Sequence, residues 1–265
     1  MVRTSVLLGL MVLCSISFSC NKKIEKVRVG GAVWMKKNLD TDVFANGEKI
    51  PEVKDDKEWE RYGNEGKPAW CYYDNDPNNG KVLGRLYNFH AVSSPNGLCP
   101  KGWHIPTDDE WTALTDKLGS EKFAAEKMKS ETGWKVGGTP GNNQSKLAIL
   151  PGGTRNRDGF FNSAGRSAYF WTSTPTGQRD ARDRGFEYNS VEVVRDFSDV
   201  GIGFSCRCVK DYPVSLCREI ISIRLIYQGK WVLHSNSRCT GITIYLGIIC
   251  PYRPLPHCLI HNRHQ

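Results

Sequence analysis

Three observations predict an α+β domain. Short runs of strand-forming residues recur between Gly/Asn/Asp/Pro clusters, long helical periods are nearly absent, and one clearly signalled helix start lies near the middle of the chain. From Gly30 to about Tyr212 this texture is even, and about 180 residues suffice for one sizeable core.

The chain opens MVRTSVLLGLMVLCSISFSCNKK, with one cation at Arg3, an apolar run from Val6 to Phe18 and small Ser19 before Cys20. That pattern predicts a secretory signal over residues 1–19, too short to span a bilayer as a helix. Cys20, followed by Asn21, Lys22 and Lys23, is similar to a bacterial lipobox, so Cys20 is expected to carry a lipid. Ile16 and Ser17 fit that pattern loosely, and plain cleavage is the alternative. Residues 20–29 then form a polar, basic tether. The expected location is the cell envelope, as an outer-membrane lipoprotein on its periplasmic or surface-exposed face.

Strands are expected near Val33–Met35, Gly84–Phe89, Lys146–Leu150, Tyr169–Ser173, Gly185–Tyr188, Val191–Arg195 and Gly203–Lys210, bounded by clusters such as NDPNNG and GGTRNRDG. The helix signal is CPKGWHIPTDDEW. Thr107 followed by Glu110 is a capping box, in which the hydroxyl accepts from the Glu110 N–H and the carboxylate reaches back to the Thr107 N–H. Asp108 and Asp109 fall in the first turn, where the helix dipole favours negative charge, and Trp111, Leu114 and Leu118 follow at helical spacing until Gly119. The three carboxylates are thereby explained as solvated helix initiators, the tryptophans as packing, and His104 as a half-buried strand residue. A second helix is expected over Glu121–Lys129, started by Ser120 and burying Phe123 and Met128.

The formal charge of +8 does not indicate a nucleic-acid partner. Residues 213–265 hold six Lys or Arg against Glu219, whereas the rest of the chain carries 30 cations and 27 anions without a basic stripe among aromatics. Ten cysteines in an exported chain favour disulfides over metal or thiol chemistry. The tail from 212 to 265 is basic and rich in Cys and His; it is either a hairpin stapled by Cys217, Cys239, Cys250 and Cys258 or a spurious extension that never folds.

Five stretches occur in order: VWMKKNLDT, PAWCYYDNDPNNGKVLGRLYNFHAV, GLCPKGWHIPTDDEW, LPGGTRNRDGFFNSAGRSAYFWTST and GFSCRCVKD. Together they resemble the Fibrobacter succinogenes major paralogous domain of bacterial envelope lipoproteins, from roughly Val29 to Asp211. Its helix-opening and closing motifs look like those of the wider group of C-type lectin-like domains and formylglycine-generating enzymes. The resemblance implies a C-type lectin-like fold with two early helices and irregular antiparallel strands. It also implies a disulfide between Cys99, before the first helix, and Cys208, in the last strand. Cys206 and Cys208 share a strand face in this reading, with Arg207 on the other, and Cys206 is left either to pair with Cys71 or to sit buried.

Two candidate ligand sites remain. Asp74, Asp76 and Asn78 alternate in YDNDPNNG and would offer oxygens to weakly bound calcium, although Asn79 and Arg85 replace the Gly and Glu of an EF-hand loop, so a solvated turn is the simpler reading. Trp70, Tyr72 and Tyr73 would form a stacking platform for a ligand. The Glu-Pro-Asn, Gln-Pro-Asp and Trp-Asn-Asp triplets of sugar-binding C-type lectins do not occur, nor does GIGFSCRCVKD match the catalytic cysteine segment of formylglycine-generating enzymes. The expected function is a non-catalytic envelope lipoprotein whose loops bind a glycan or a protein outside the cell, with no required cofactor. An enzyme related to the formylglycine-generating group and a structural surface module are the alternatives.

Overall fold

A computed structural model describes residues 24–211 together with 224–226 and 230–232. The expected signal segment, Cys20 and the tail cysteines lie outside the described residues. The chain divides into two compact units, residues 1–211 and 212–265. In the second, Arg224–Ile226 and Lys230–Val232 pair antiparallel.

The first unit is α+β. Strands β1 (Lys26–Val29) and β2 (Ala32–Met35) form a hairpin, and helix α1 (Asp56–Asn64) follows. Next come β3 (Trp70–Cys71), helix α2 (Pro77–Leu83), β4 (Leu86–Tyr87), the single turn α3 (Phe89–Val92) and β5 (Trp103–His104). Helices α4 (Asp108–Lys117) and α5 (Ala125–Met128) precede the small pair β6 (Thr154–Arg155) and β7 (Phe161–Asn162). The long strands β8 (Ser167–Pro175), β9 (Asp180–Glu187) and β10 (Val193–Asp199) are followed by β11 (Phe204–Ser205) and β12 (Val209–Lys210). Six strands run in the order β10-β9-β8-β11-β4-β3, antiparallel except for β11 beside β8, and four run in the order β1-β2-β12-β5. Among the described residues, no helix is long and apolar enough to cross a membrane.

Alternation along β8 and β9 gives the large sheet two faces. Ala168, Phe170 and Phe186 pack with Trp34, Trp111 and Leu114 beneath α4; Trp111 lies 4.9 Å from Trp34 and 5.6 Å from Phe170, ring centre to ring centre. Trp171 and Ala181 face the other way, into a core with Phe89, Val200 and Phe204. The capping box at Thr107 forms as the sequence predicts, with both reciprocal bonds present.

Between these elements runs much irregular chain, whose carbonyls need donors once buried. Long cationic side chains supply them. The buried Lys129 ammonium donates to the carbonyls of Thr139 at 2.7 Å, Ser190 at 2.9 Å and Glu187 at 3.1 Å. Buried Arg155 donates to the carbonyls of Val53, Lys54 and Gly159 and to Asp56, and buried Arg207 to the Leu147 carbonyl and the Asn38 side chain.

Several expectations are corrected. No strand forms over Lys146–Leu150, because Lys146 (φ 62°) and Ala148 (φ 50°) sit in the left-handed region; Ile149 makes only a single bridge to Lys129. The second helix shrinks to Ala125–Met128. Ser120 (φ 105°) turns the chain instead of capping it, the Glu121 carbonyl accepts from the Val193 N–H, and Phe123 is 61% exposed while Met128 is buried as expected. Gly203–Lys210 splits into two strands of different sheets, so Cys206 and Cys208 do not share a strand, and Arg207 between them is buried. Helices α1 and α2 were not anticipated.

Candidate functional site

A concavity of about 370 Å³ lies where residues 35–41 pass beside α2. The sequence builds both walls locally. Asp76 caps α2 by accepting from the Asn78 N–H, and Pro77 stands at the first helical position, where a missing N–H costs nothing. Gly84 (φ 75°) ends the helix; a Cβ there would lie 2.8 Å from the Leu39 carbonyl oxygen and 2.9 Å from the Asn38 Cβ, so a glycine lets the two walls meet. Asn38 fastens them, donating to the Leu83 carbonyl at 2.8 Å and accepting from Arg207. Ile24, Met35, Leu39, Val82 and Pro100 supply the apolar part of the lining, and none of the lining residues is aromatic. Charges stand in pairs around it: Lys37 with Glu25 at 2.7 Å, and Asp40 with Arg85 at 3.1 Å. Lys81 meets the Asn78 side-chain oxygen at 2.9 Å.

The expected aromatic platform does not form. Trp70 is buried, its indole N–H donates to the Ile50 carbonyl at 2.9 Å, and the Arg85 guanidinium covers its ring at 3.8 Å. Tyr72 is packed against Gly80 of α2 and accepts from Arg85 at 3.0 Å. Tyr73 turns away to Phe161 in a separate cluster, ring centres 5.3 Å apart. Trp70 and Tyr72 meet edge to face, ring centres 5.1 Å apart, beneath Arg85, and the short 3-10 turn over Tyr73–Asn75 sends Tyr73 alone to the other cluster.

The residues of the weak calcium set, Asp74, Asp76 and Asn78, lie in a turn and at the start of α2. Asp76 is the α2 cap, Asn78 faces the Lys81 ammonium, and Asp74 is exposed in a left-handed turn at φ 53°. Among the described residues, no group of three or more His, Cys, Asp or Glu is arranged to hold a metal.

Of the three helix-opening carboxylates, Asp108 is not solvated: it is 5% exposed. Arg184 donates to its Oδ1 at 2.6 Å and Arg195 to its Oδ2 at 2.9 Å through Nε. Burial alone would raise the Asp108 pKa, but the bonds from Arg195 and the charge of Arg184 hold it below the usual aspartate value. Arg184 is itself buried and reaches Glu121 with its other nitrogen. His104 is the half-buried strand residue expected, held between Asp211 at 2.6 Å and Glu110 at 3.1 Å. Burial opposes its protonation, and these two carboxylates outweigh it, leaving the pKa raised.

One neighbour of Arg184 was not anticipated at all. Asp183 is 1% exposed and neither carboxylate oxygen has a hydrogen-bond partner. Burial pushes its pKa up to about 6, helped by Asp196; the nearby Ser198 hydroxyl opposes the shift without meeting hydrogen-bond geometry. No sequence signal marks this residue, because its isolation arises from strand register.

Cys99 and Cys208 are joined, with Cα atoms 6.1 Å apart, as the family resemblance implied. Cys71 and Cys206 are unpaired and buried, and burial pushes the Cys71 thiol up to about 12 and the Cys206 thiol higher still. Residues 27–210 match the family model described as the Fibrobacter succinogenes major domain. The chain belongs to that family. No curated protein and no solved structure matches it. The matched span begins in β1 and ends in β12, so it contains the disulfide, both buried aspartates and all of the cleft lining except Ile24 and Glu25.

Proposed function

We propose that this domain is a non-catalytic binding module of the bacterial cell envelope, held at a membrane by a lipid on Cys20, and that the cleft beside α2 takes its ligand. The cleft carries this reading: at about 370 Å³, with a partly apolar lining and paired charges at its rim, it has the size and mixed chemistry of small binding sites. A lining without aromatic rings offers a sugar no stacking surface, which favours an extended protein segment over a glycan. The bridge from the approach to α4 to the last strand, closing 109 residues, supports a C-type lectin-like arrangement, as does the capped α4.

The enzyme alternative draws no support from the described thiols. A catalytic cysteine acts as thiolate, and buried thiols pushed up to about 12 or beyond stay protonated.

Binding is tested with the purified chain against envelope extracts and a glycan array, beside Val82→Asp and Lys81→Glu. Val82 is 66% exposed, so these changes alter the cleft wall while leaving the core intact. Retention of a ligand that both variants lose by tenfold or more supports the assignment. Blank results on both panels would favour the structural-module alternative. Replacing Cys20 with Ala should release the protein from the membrane fraction; retention there would refute the anchor.

A further inference from the structure

Asp183 and Arg184 are consecutive on β9 and serve opposite faces of the sheet. Arg184 goes beneath α4 to Asp108, and Arg195 of β10 joins it there. On the other face, register sets Asp183 between Trp171 of β8 and Asp196 of β10. Like charges directly opposite on neighbouring strands repel, and here one of them is also withdrawn from water. No cation answers them from positions 181, 185, 194 or 198 of the same face, which carry Ala, Gly, Val and Ser. Arg182 alternates with Asp183 and points elsewhere, its guanidinium 5.9 Å from the Phe197 ring centre. Glu187, further along, already accepts from Ser167 and Tyr169 hydroxyls at 2.7 Å each.

We propose that Asp183, Asp196 and the Ser198 hydroxyl form a site for a hard divalent cation of the calcium class. The donor set is oxygen only and carries two negative charges, which suits calcium or magnesium and offers nothing to a soft metal. Calcium is favoured because it accepts irregular geometry and water in its remaining positions. With two carboxylates the affinity belongs to the weak extracellular range, a Kd of about 10⁻⁴ to 10⁻³ M. The site lies on β9 and β10, apart from the cleft and from the Asp74 loop, and does not depend on the binding function proposed above.

Terbium(III), a luminescent stand-in for calcium, tests it on the full chain, because Trp171 opposite Asp183 is placed to sensitise its emission. Saturable emission that calcium displaces, and that falls at least tenfold in both Asp183→Asn and Asp196→Asn, is the expected result. Asp76→Asn should leave it unchanged. Asp196 is exposed, so its variant keeps the test decisive if the Asp183 variant fails to fold. Emission that persists in Asp196→Asn, or no emission and no calcium-dependent rise in Tm at millimolar concentration, would overturn the site.

Discussion

The two faces of β9 treat a buried carboxylate in opposite ways. Beneath α4, Asp108 is clasped by Arg184 and Arg195 and stays ionised below the usual aspartate range; on the far face, Asp183 meets no donor and is pushed up to about 6. Both are nearly sealed from solvent, at 5% and 1% exposure, so burial does not distinguish them. What differs is whether the opposing strand or helix brings a guanidinium. A clasped carboxylate makes the structure depend on the pair remaining complete, whereas an orphan makes it depend on a proton or a cation arriving from solution.

The contrast can be broken most severely at Asp108. Asp108→Ala removes one of the two carboxylates that hold the buried Arg184, and the partner of Arg195 with it, and should cost about 3–5 kcal/mol in urea denaturation at pH 7. A loss below about 1 kcal/mol would mean that water reaches Arg184. Asp183→Asn should act in the other direction, and its pH dependence gives the sign. The folded-state pKa of about 6 lies above the ordinary 3.8, so folding retains a proton that the unfolded chain releases. That stability is fully present below about pH 4 and is lost as pH rises through about 6. In chelator, Asp183→Asn should therefore stabilise by up to about 3 kcal/mol at pH 7, with the gain vanishing near pH 4. Asp108 has the opposite slope, its contribution being present above the ordinary aspartate value and lost as pH falls through its lowered pKa.

Smaller effects sharpen the same comparison. Replacing the pair together, Asp108→Leu with Arg184→Met, should come within about 2 kcal/mol of wild type, since a buried ion pair exchanged for apolar groups is often near neutral. Arg184 also donates to the Thr112 hydroxyl at 2.8 Å, and a double variant as unstable as Asp108→Ala would show that its bonds to Thr112 and Glu121 matter in their own right. The smallest change is expected at Arg195, which is 44% exposed: Arg195→Ala should lower stability by less than about 1 kcal/mol because solvent screens that bond.

What was legible in the sequence is what spans three or four residues or repeats along a strand. The Thr107–Glu110 capping box, the α4 stripe of Trp111 and Leu114, and the β8, β9 and β10 strands are such features, and all formed. Helices α1 and α2 carried signals of the same kind, Asp55 accepting from the Glu58 N–H and Asp76 before Pro77, which could have been found. The disulfide was implied by family resemblance and would not follow from spacing.

The sequence by itself thus determined the fold class, the start of α4 and the family, because short-range hydrogen bonds and strand periodicity are written in neighbouring residues. Only the tertiary structure decided the fates of the charged and aromatic groups. Arg85 from the far side of α2 covers Trp70, Arg184 and Arg195 reach Asp108 across 76 and 87 residues, and the register of β9 against β10 sets Asp183 opposite Asp196. The pKa and exposure of each group depend on which distant residue packs against it, and the local sequence around that group does not record this.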